Sequence, residues 1–140
     1  HESAEQTRQV RARLPLVIKG FPAGHPGLSN IPDYGADVVL VEGERPGSGE
    51  LFDWRLAEDA PRAGHRVLLA GGLHAGNVAD GIRQVRPWGV DVSTGVEREP
   101  GRKDPVKLRE FIDAARAAGE EIRPEAYDDE GAPYDWQDDF

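Results

Sequence analysis

Four short apolar runs constrain the fold of this chain more than any other feature: Leu16-Val17-Ile18, Val38-Val39-Leu40-Val41, Val67-Leu68-Leu69-Ala70 and Val90-Asp91-Val92. They are too short for buried helices and rich in β-branched residues, and each is followed by glycine or another turn signal. That pattern predicts buried parallel strands. Amphipathic stretches lie between them. Val78, Ile82 and Val85 share one helical face, as do Leu108, Phe111, Ile112 and Ala115. The last helix has clear boundary residues, with Asp104 as N-cap, Pro105 at its first position and Gly119 at its C-terminal end. Residues 2–13 are helix-like and stop before Pro15. The connection from 22 to 35 holds Pro22, Gly24, Pro26, Gly27 and Pro32 and predicts no helix. Alternating strands and helices mean a parallel α/β sheet with right-handed crossovers. Two architectures satisfy this: an open doubly wound sheet, or part of a (βα)8 barrel.

Composition removes several function classes. The 140 residues include no cysteine, so a disulfide framework, a thiolate metal site and a cysteine nucleophile within the chain are all excluded. No apolar run is long enough for a membrane span or a signal peptide, and a cytoplasmic protein is expected. The chain opens on His1 rather than Met, as a processed chain or a piece of a longer one would. The net charge of -9 argues against non-specific nucleic-acid binding. Most of that charge sits at one end. Residues 120–140 carry nine acids against the single base Arg123, leaving 1–119 almost neutral. Pro124 and Pro133 break any helix there, so an acidic, disordered tail is expected after residue 119.

Ligands in either architecture sit at the carboxyl ends of the strands. After the third run come Gly71 and Gly72, with Asn77 near the start of a helix; after the fourth come Asp91, Ser93, Thr94 and Gly95. Glycines there let backbone amides approach an anion closely, and two successive loops of this kind read as a phosphate grip. Lys19 is either a residue of the mouth of the sheet or a solvated strand-end lysine. Phe52 and Trp54 are expected in the packing. His25, His65 and His74 have no partner at metal-ligand spacing, so no metal site is expected. Arg102-Lys103 is too short for a nucleic-acid patch and reads as a solvated flank of the last helix.

Three segments in order resemble the phosphoribosylanthranilate isomerase family: 69–78 (Leu-Ala-Gly-Gly-Leu-His-Ala-Gly-Asn-Val), 86–97 (Arg-Pro-Trp-Gly-Val-Asp-Val-Ser-Thr-Gly-Val-Glu) and 100–104 (Pro-Gly-Arg-Lys-Asp). The upstream stretch 47–54 (Gly-Ser-Gly-Glu-Leu-Phe-Asp-Trp) resembles that family's loop after strand six. The resemblance covers about 1–119. It implies a (βα)8 barrel of which this chain is a fragment covering strands five to eight, followed by the tail 120–140. It further implies an Amadori rearrangement in tryptophan biosynthesis, an aldose–ketose isomerisation without a cofactor. The substrate is a phosphorylated sugar, and neither nucleic acid nor membrane is involved. Gly71, Gly72, Ser93, Thr94 and Gly95 match the family's phosphate loops, Asp91 its sugar-contacting aspartate, and Gly47, Ser48 and Gly49 its loop over the site.

The family's base is a cysteine on strand one, which this chain lacks, so turnover by this polypeptide alone is not expected. Its acid is an aspartate ending strand six. Matching the second apolar run to that strand puts Val41 in the acid's place and Glu42 beside it, pointing away unless a bulge intervenes. Two alternatives follow: a non-catalytic phosphosugar-binding half-barrel, or an isomerase of altered substrate with Glu42 as acid. Open strand edges on a half-barrel imply self-association or pairing with the missing half.

Overall fold

The computed structural model describes residues 2–43 and 50–123. The expected loop residues Gly47, Ser48 and Gly49, and the tail from 124 onward, lie outside the described residues. Helix α1 (Ala4–Arg11) opens with a reciprocal cap, Ser3 accepting from the Gln6 amide while the Gln6 side chain accepts from the Ser3 amide. The strands β1 (Ile18–Pro22), β2 (Val38–Glu42), β3 (Val67–Leu69) and β4 (Gly89–Val90) follow. They form one parallel sheet in the order β1-β2-β3-β4. Helix α4 (Val78–Val85) and helix α5 (Pro105–Glu121) complete the main frame.

The core lies on one face of the sheet. Val39, Val41, Val67 and Leu69 pack there with Val78, Ile82, Val85, Phe111 and Ala118. On the other face Leu40 and Leu68 are half-buried and Ile18 is exposed. The described core helices pack on one face of a parallel α/β sheet, and Val38 and Ala70 are buried on the other. Leu69 is fully buried at the middle of this core. Leu69→Ala is expected to cost about 3 kcal/mol, from lost burial plus the cavity left behind. Urea unfolding measures it, and a loss below about 1 kcal/mol would contradict the packing described.

Several local expectations change. Strand β1 runs two residues later than its apolar run, through Gly20, Phe21 and Pro22. Phe21 anchors it, packing edge-on against Tyr34, and Pro22 is tolerated because β1 is an outer strand of the described sheet. The connection from 22 to 35 is not free of helix. It holds a 3-10 turn (Pro26–Ser29) and a single helical turn α2 (Ile31–Tyr34). Both prolines sit in first turns, where the missing N–H costs nothing. Between β2 and β3 lie a 3-10 turn (Trp54–Ala57) and the single helical turn α3 (Asp59–Arg62).

Helix α5 buries a different stripe from the one its largest residues suggest. Phe111 and Ala118 are buried and Ala114, Ala115 and Ile122 pack beside them, whereas Leu108 and Ile112 are exposed. Nor does α5 end at Gly119. It continues to Glu121, whose carboxylate takes two hydrogen bonds from Arg83 of α4, at 2.8 and 3.1 Å. Glu120 and Glu121 therefore belong to the body and not to the acidic tail. An unexpected hairpin, β5 (Glu97–Glu99) with β6 (Arg102–Lys103), turns at Pro100-Gly101 ahead of α5. Gly101 supplies the positive φ of that turn.

Candidate active site

Side chains alternate along a strand, so the burial of Val39 and Val41 on the helical side fixes the direction of their neighbours. Leu40 and Glu42 face the other way. Strand β2 keeps unbroken register with β1 and β3. Glu42 thus reaches the open face without a bulge or a shift. This corrects the expectation that gave the acid's place to Val41: Val41 is 0% exposed and packed under the helices, where it meets no ligand.

Two further strand ends stand beside Glu42. The ladder continues past β3 and β4, since the Ala70 amide donates to Val41 O and the Asp91 amide to Leu69 O, both at 2.9 Å. Glu42, Ala70 and Asp91 therefore lie level on three neighbouring strands, with the two acidic residues' backbones about 10 Å apart. Glu42 titrates above the ordinary carboxylate range, first because burial penalises its charge and second because Asp91 adds like charge.

The glycine loops close the site at its edge. Gly71 and Gly72 both have positive φ, at 82° and 68°. A methyl group on Gly72 would stand 2.7 Å from the Leu51 amide nitrogen, so the loop after β3 touches backbone arriving from the segment after β2. Gly95 lies closer still against that loop: a Cβ there would sit 1.8 Å from the Leu73 carbonyl oxygen. The structure therefore brings the two glycine-bearing loops into direct backbone contact. Among the described residues, the amides of Gly71, Gly72, Ser93, Thr94 and Gly95 donate to no protein acceptor. Free amides on the left-handed Gly71 and Gly72, beside those of the neighbouring turn, can meet an anion.

Asn77 braces the first loop, accepting from the His74 amide at 2.8 Å and donating to the Gly72 carbonyl at 2.9 Å. Lys103 braces the second. Its ammonium donates to the Ser93 carbonyl and to the Glu97 carboxylate, each at 2.9 Å. It flanks the last helix exposed to solvent, as expected, and also ties down the second loop. The spacing of Asn77 to its loop hinted at its role; nothing in the sequence pointed Lys103 at Ser93.

The other expected residues fall outside this cluster. Lys19 is neither in the mouth nor solvated. It is buried on the helical side with Phe21, over that ring and 2.9 Å from the Glu2 carboxylate. Phe52 and Trp54 pack against the core, Trp54 lying over Gly81. His25 and His74 each accept a backbone amide two residues on, from Gly27 and Gly76, and staple their own turns.

The model of the N-(5'-phosphoribosyl)anthranilate isomerase family matches residues 2–114. The chain belongs to that family. An isomerase of this name from Trichlorobacter lovleyi is 50% identical over 122 residues, covering 84% of this chain and 58% of that protein. One from Rhodopseudomonas palustris is 43% identical over 128 residues. Among solved structures, phosphoribosyl anthranilate isomerase from Thermus thermophilus superposes with a TM-score of 0.73 at 36% identity, over 84% of this chain and 57% of that one. The chain thus spans about three fifths of the length of these isomerases.

Proposed function

We propose that this chain serves the isomerisation of N-(5'-phosphoribosyl)anthranilate in tryptophan biosynthesis, supplying the phosphate grip, the sugar contact and the general acid. The arrangement that carries this reading is Glu42, the Gly71-Gly72 loop and the Asp91–Gly95 segment on three adjacent strand ends, in a chain of this family. Within the reading, β1 to β4 are strands five to eight of a (βα)8 barrel that runs through the end of α5 at Glu121 and precedes an acidic tail. The amides of Gly71, Gly72, Ser93, Thr94 and Gly95 hold the phosphate, and Asp91 contacts the sugar. Glu42, whose proton is held more tightly than an ordinary carboxylate's, gives it to the ribose ring oxygen as the ring opens. A base then removes the proton on the adjacent carbon, and the aldose amine becomes a ketose amine. A cytoplasmic location accompanies this role.

A second reading is a phosphosugar-binding module without turnover, favoured by the absence of cysteine from the whole sequence. One experiment separates the two. Ribose 5-phosphate at a hundred times its Kd adds about 2.7 kcal/mol of stability by linkage, so the thermal transition should rise clearly. Consumption of N-(5'-phosphoribosyl)anthranilate is followed on the same preparation after addition of the other half of a family barrel, which carries the cysteine base this chain lacks. A thermal shift with turnover supports the isomerase, and a shift without turnover the binding module. No shift at millimolar ligand overturns both. Strands β1 and β4 each have one neighbour among the described residues, so pairing with further strands, from another copy or from the rest of a barrel, belongs to the same proposal.

A further inference from the structure

We infer that Lys103 is a positioning residue for the phosphate-gripping turn, fixing the direction in which the Ser93–Thr94 peptide presents the Thr94 amide. The inference rests on the proposed phosphate site.

Lys103 lies ten residues beyond Ser93, on the returning strand of the hairpin. Its ammonium donates to Ser93 O at 2.9 Å, to Glu97 Oε1 at 2.9 Å and, at the limit, to Ser93 Oγ at 3.5 Å. An ammonium has three donors, and all three are committed here. It therefore acts on an anion through the Ser93 peptide and not by contact. A trans peptide is planar, with its C=O and N–H pointing in opposite directions. Pinning the Ser93 carbonyl towards Lys103 turns the Thr94 amide to the opposite side, away from the hairpin. The carboxylate end of the tie is itself held. Glu97 takes the Gly101 amide at 3.2 Å, its own carbonyl accepts from Lys107 Nζ at 2.8 Å, and Lys103 holds its carboxyl below the usual range. On the far side Val96 is buried in the core and Gly95 abuts Leu73. The turn is thus clamped at both ends, and the Lys103 end is the one that sets the rotation of the Ser93 peptide.

The pair is half-exposed at the lysine, and such pairs contribute little to stability. Affinity and stability should therefore separate. In Lys103→Met, binding of ribose 5-phosphate and of inorganic phosphate should weaken about tenfold, the scale of one hydrogen bond to a charged group, while the ligand-free melting temperature stays within about 2 °C. Lys103→Arg, which can still reach the carbonyl, should recover most of the affinity. Arg102→Gln removes the same charge from the same hairpin without touching Ser93, and should weaken binding less than about threefold.

Equal losses in Lys103→Met and Arg102→Gln would overturn the inference, leaving only a diffuse electrostatic field. Undiminished binding in Lys103→Met overturns it, as does a Lys103→Met chain that no longer unfolds cooperatively, which would make the role structural. If the unsubstituted protein shows no ligand-induced shift, the phosphate reading itself fails and the inference with it. A shift in the unsubstituted protein, matched in Lys103→Met, overturns the inference alone.

Discussion

Gly95→Ala is expected to destabilise the protein by about 3 kcal/mol and to abolish sugar-phosphate binding. The reason is the position of the added methyl group, 1.8 Å from the Leu73 carbonyl oxygen and 2.9 Å from the carbon behind it. Both atoms are backbone, so no rotamer change relieves the overlap. The two loops must separate, and neither is free to yield: Leu73 is 2% exposed on one side and Val96 1% on the other. A shift large enough to accept the methyl therefore reaches the core and parts the two rows of amides that face the proposed phosphate. Two other glycines calibrate the effect. Gly101 has positive φ but nothing within 4 Å, so its alanine should cost only the backbone term, about 1 kcal/mol. Gly119 lies inside α5 with open space around it, so its alanine should stabilise by up to about 1 kcal/mol. Urea unfolding of the three variants gives the order. A Gly95→Ala no worse than Gly101→Ala would mean that the loops do not meet as described.

What could be read from the sequence follows from which physical signals are local. The glycines, Ser93 and Thr94 were legible because a turn just after a β-branched run restricts residue type by sterics alone. Helix α4 was legible in full, since Val78, Ile82 and Val85 leave only one apolar stripe. Helix α5 offered two overlapping stripes, and the larger residues Leu108 and Ile112 suggested the wrong one. The alanines at 114, 115 and 118 pack on the core instead, where small residues let α5 approach closely. The phase of β2 was not legible either. A run of four apolar residues has no alternation to show which members face the helices, and so Val41 and Glu42 could exchange roles on paper. Only packing decides, through Val39 and Val41. The Lys103 tie depends on how a hairpin folds back over ten residues, and no local signal encodes it.

That phase leads to the second large effect: Glu42→Gln should leave a protein that is more stable at neutral pH and catalytically silent. Burial and the charge of Asp91 both raise the Glu42 pKa in the folded state. The folded protein therefore holds this proton more tightly than the unfolded chain does. Stability attached to the group is then lost as pH rises from the ordinary carboxylate value, 4.5, through the raised folded value, and the deficit persists at pH 7. Glutamine keeps the shape and removes the charge. The melting temperature at pH 7 should rise by about 2 °C, and the gain should shrink towards zero below pH 4, where Glu42 is itself neutral.

Activity should move the other way. On the function proposed above, a barrel completed by the half that carries the base loses its proton donor to the ring oxygen, and kcat falls by about 10²–10⁴-fold. KM should change little, because the amides at Gly71, Gly72 and Ser93–Gly95 are untouched. A group that weakens the fold and yet performs the chemistry gives this opposed pair of effects. A bystander at the strand end would give the stability gain with kcat unchanged, and that outcome would remove Glu42 from the mechanism. A carboxylate at position 41 would behave in neither way. In Val41→Asp the charge would be buried without a partner beneath α4, and the fold itself should fail. Measured together, melting curves across pH and kcat for Glu42→Gln test both the direction in which Glu42 points and the reason a chain of this family keeps an acid there.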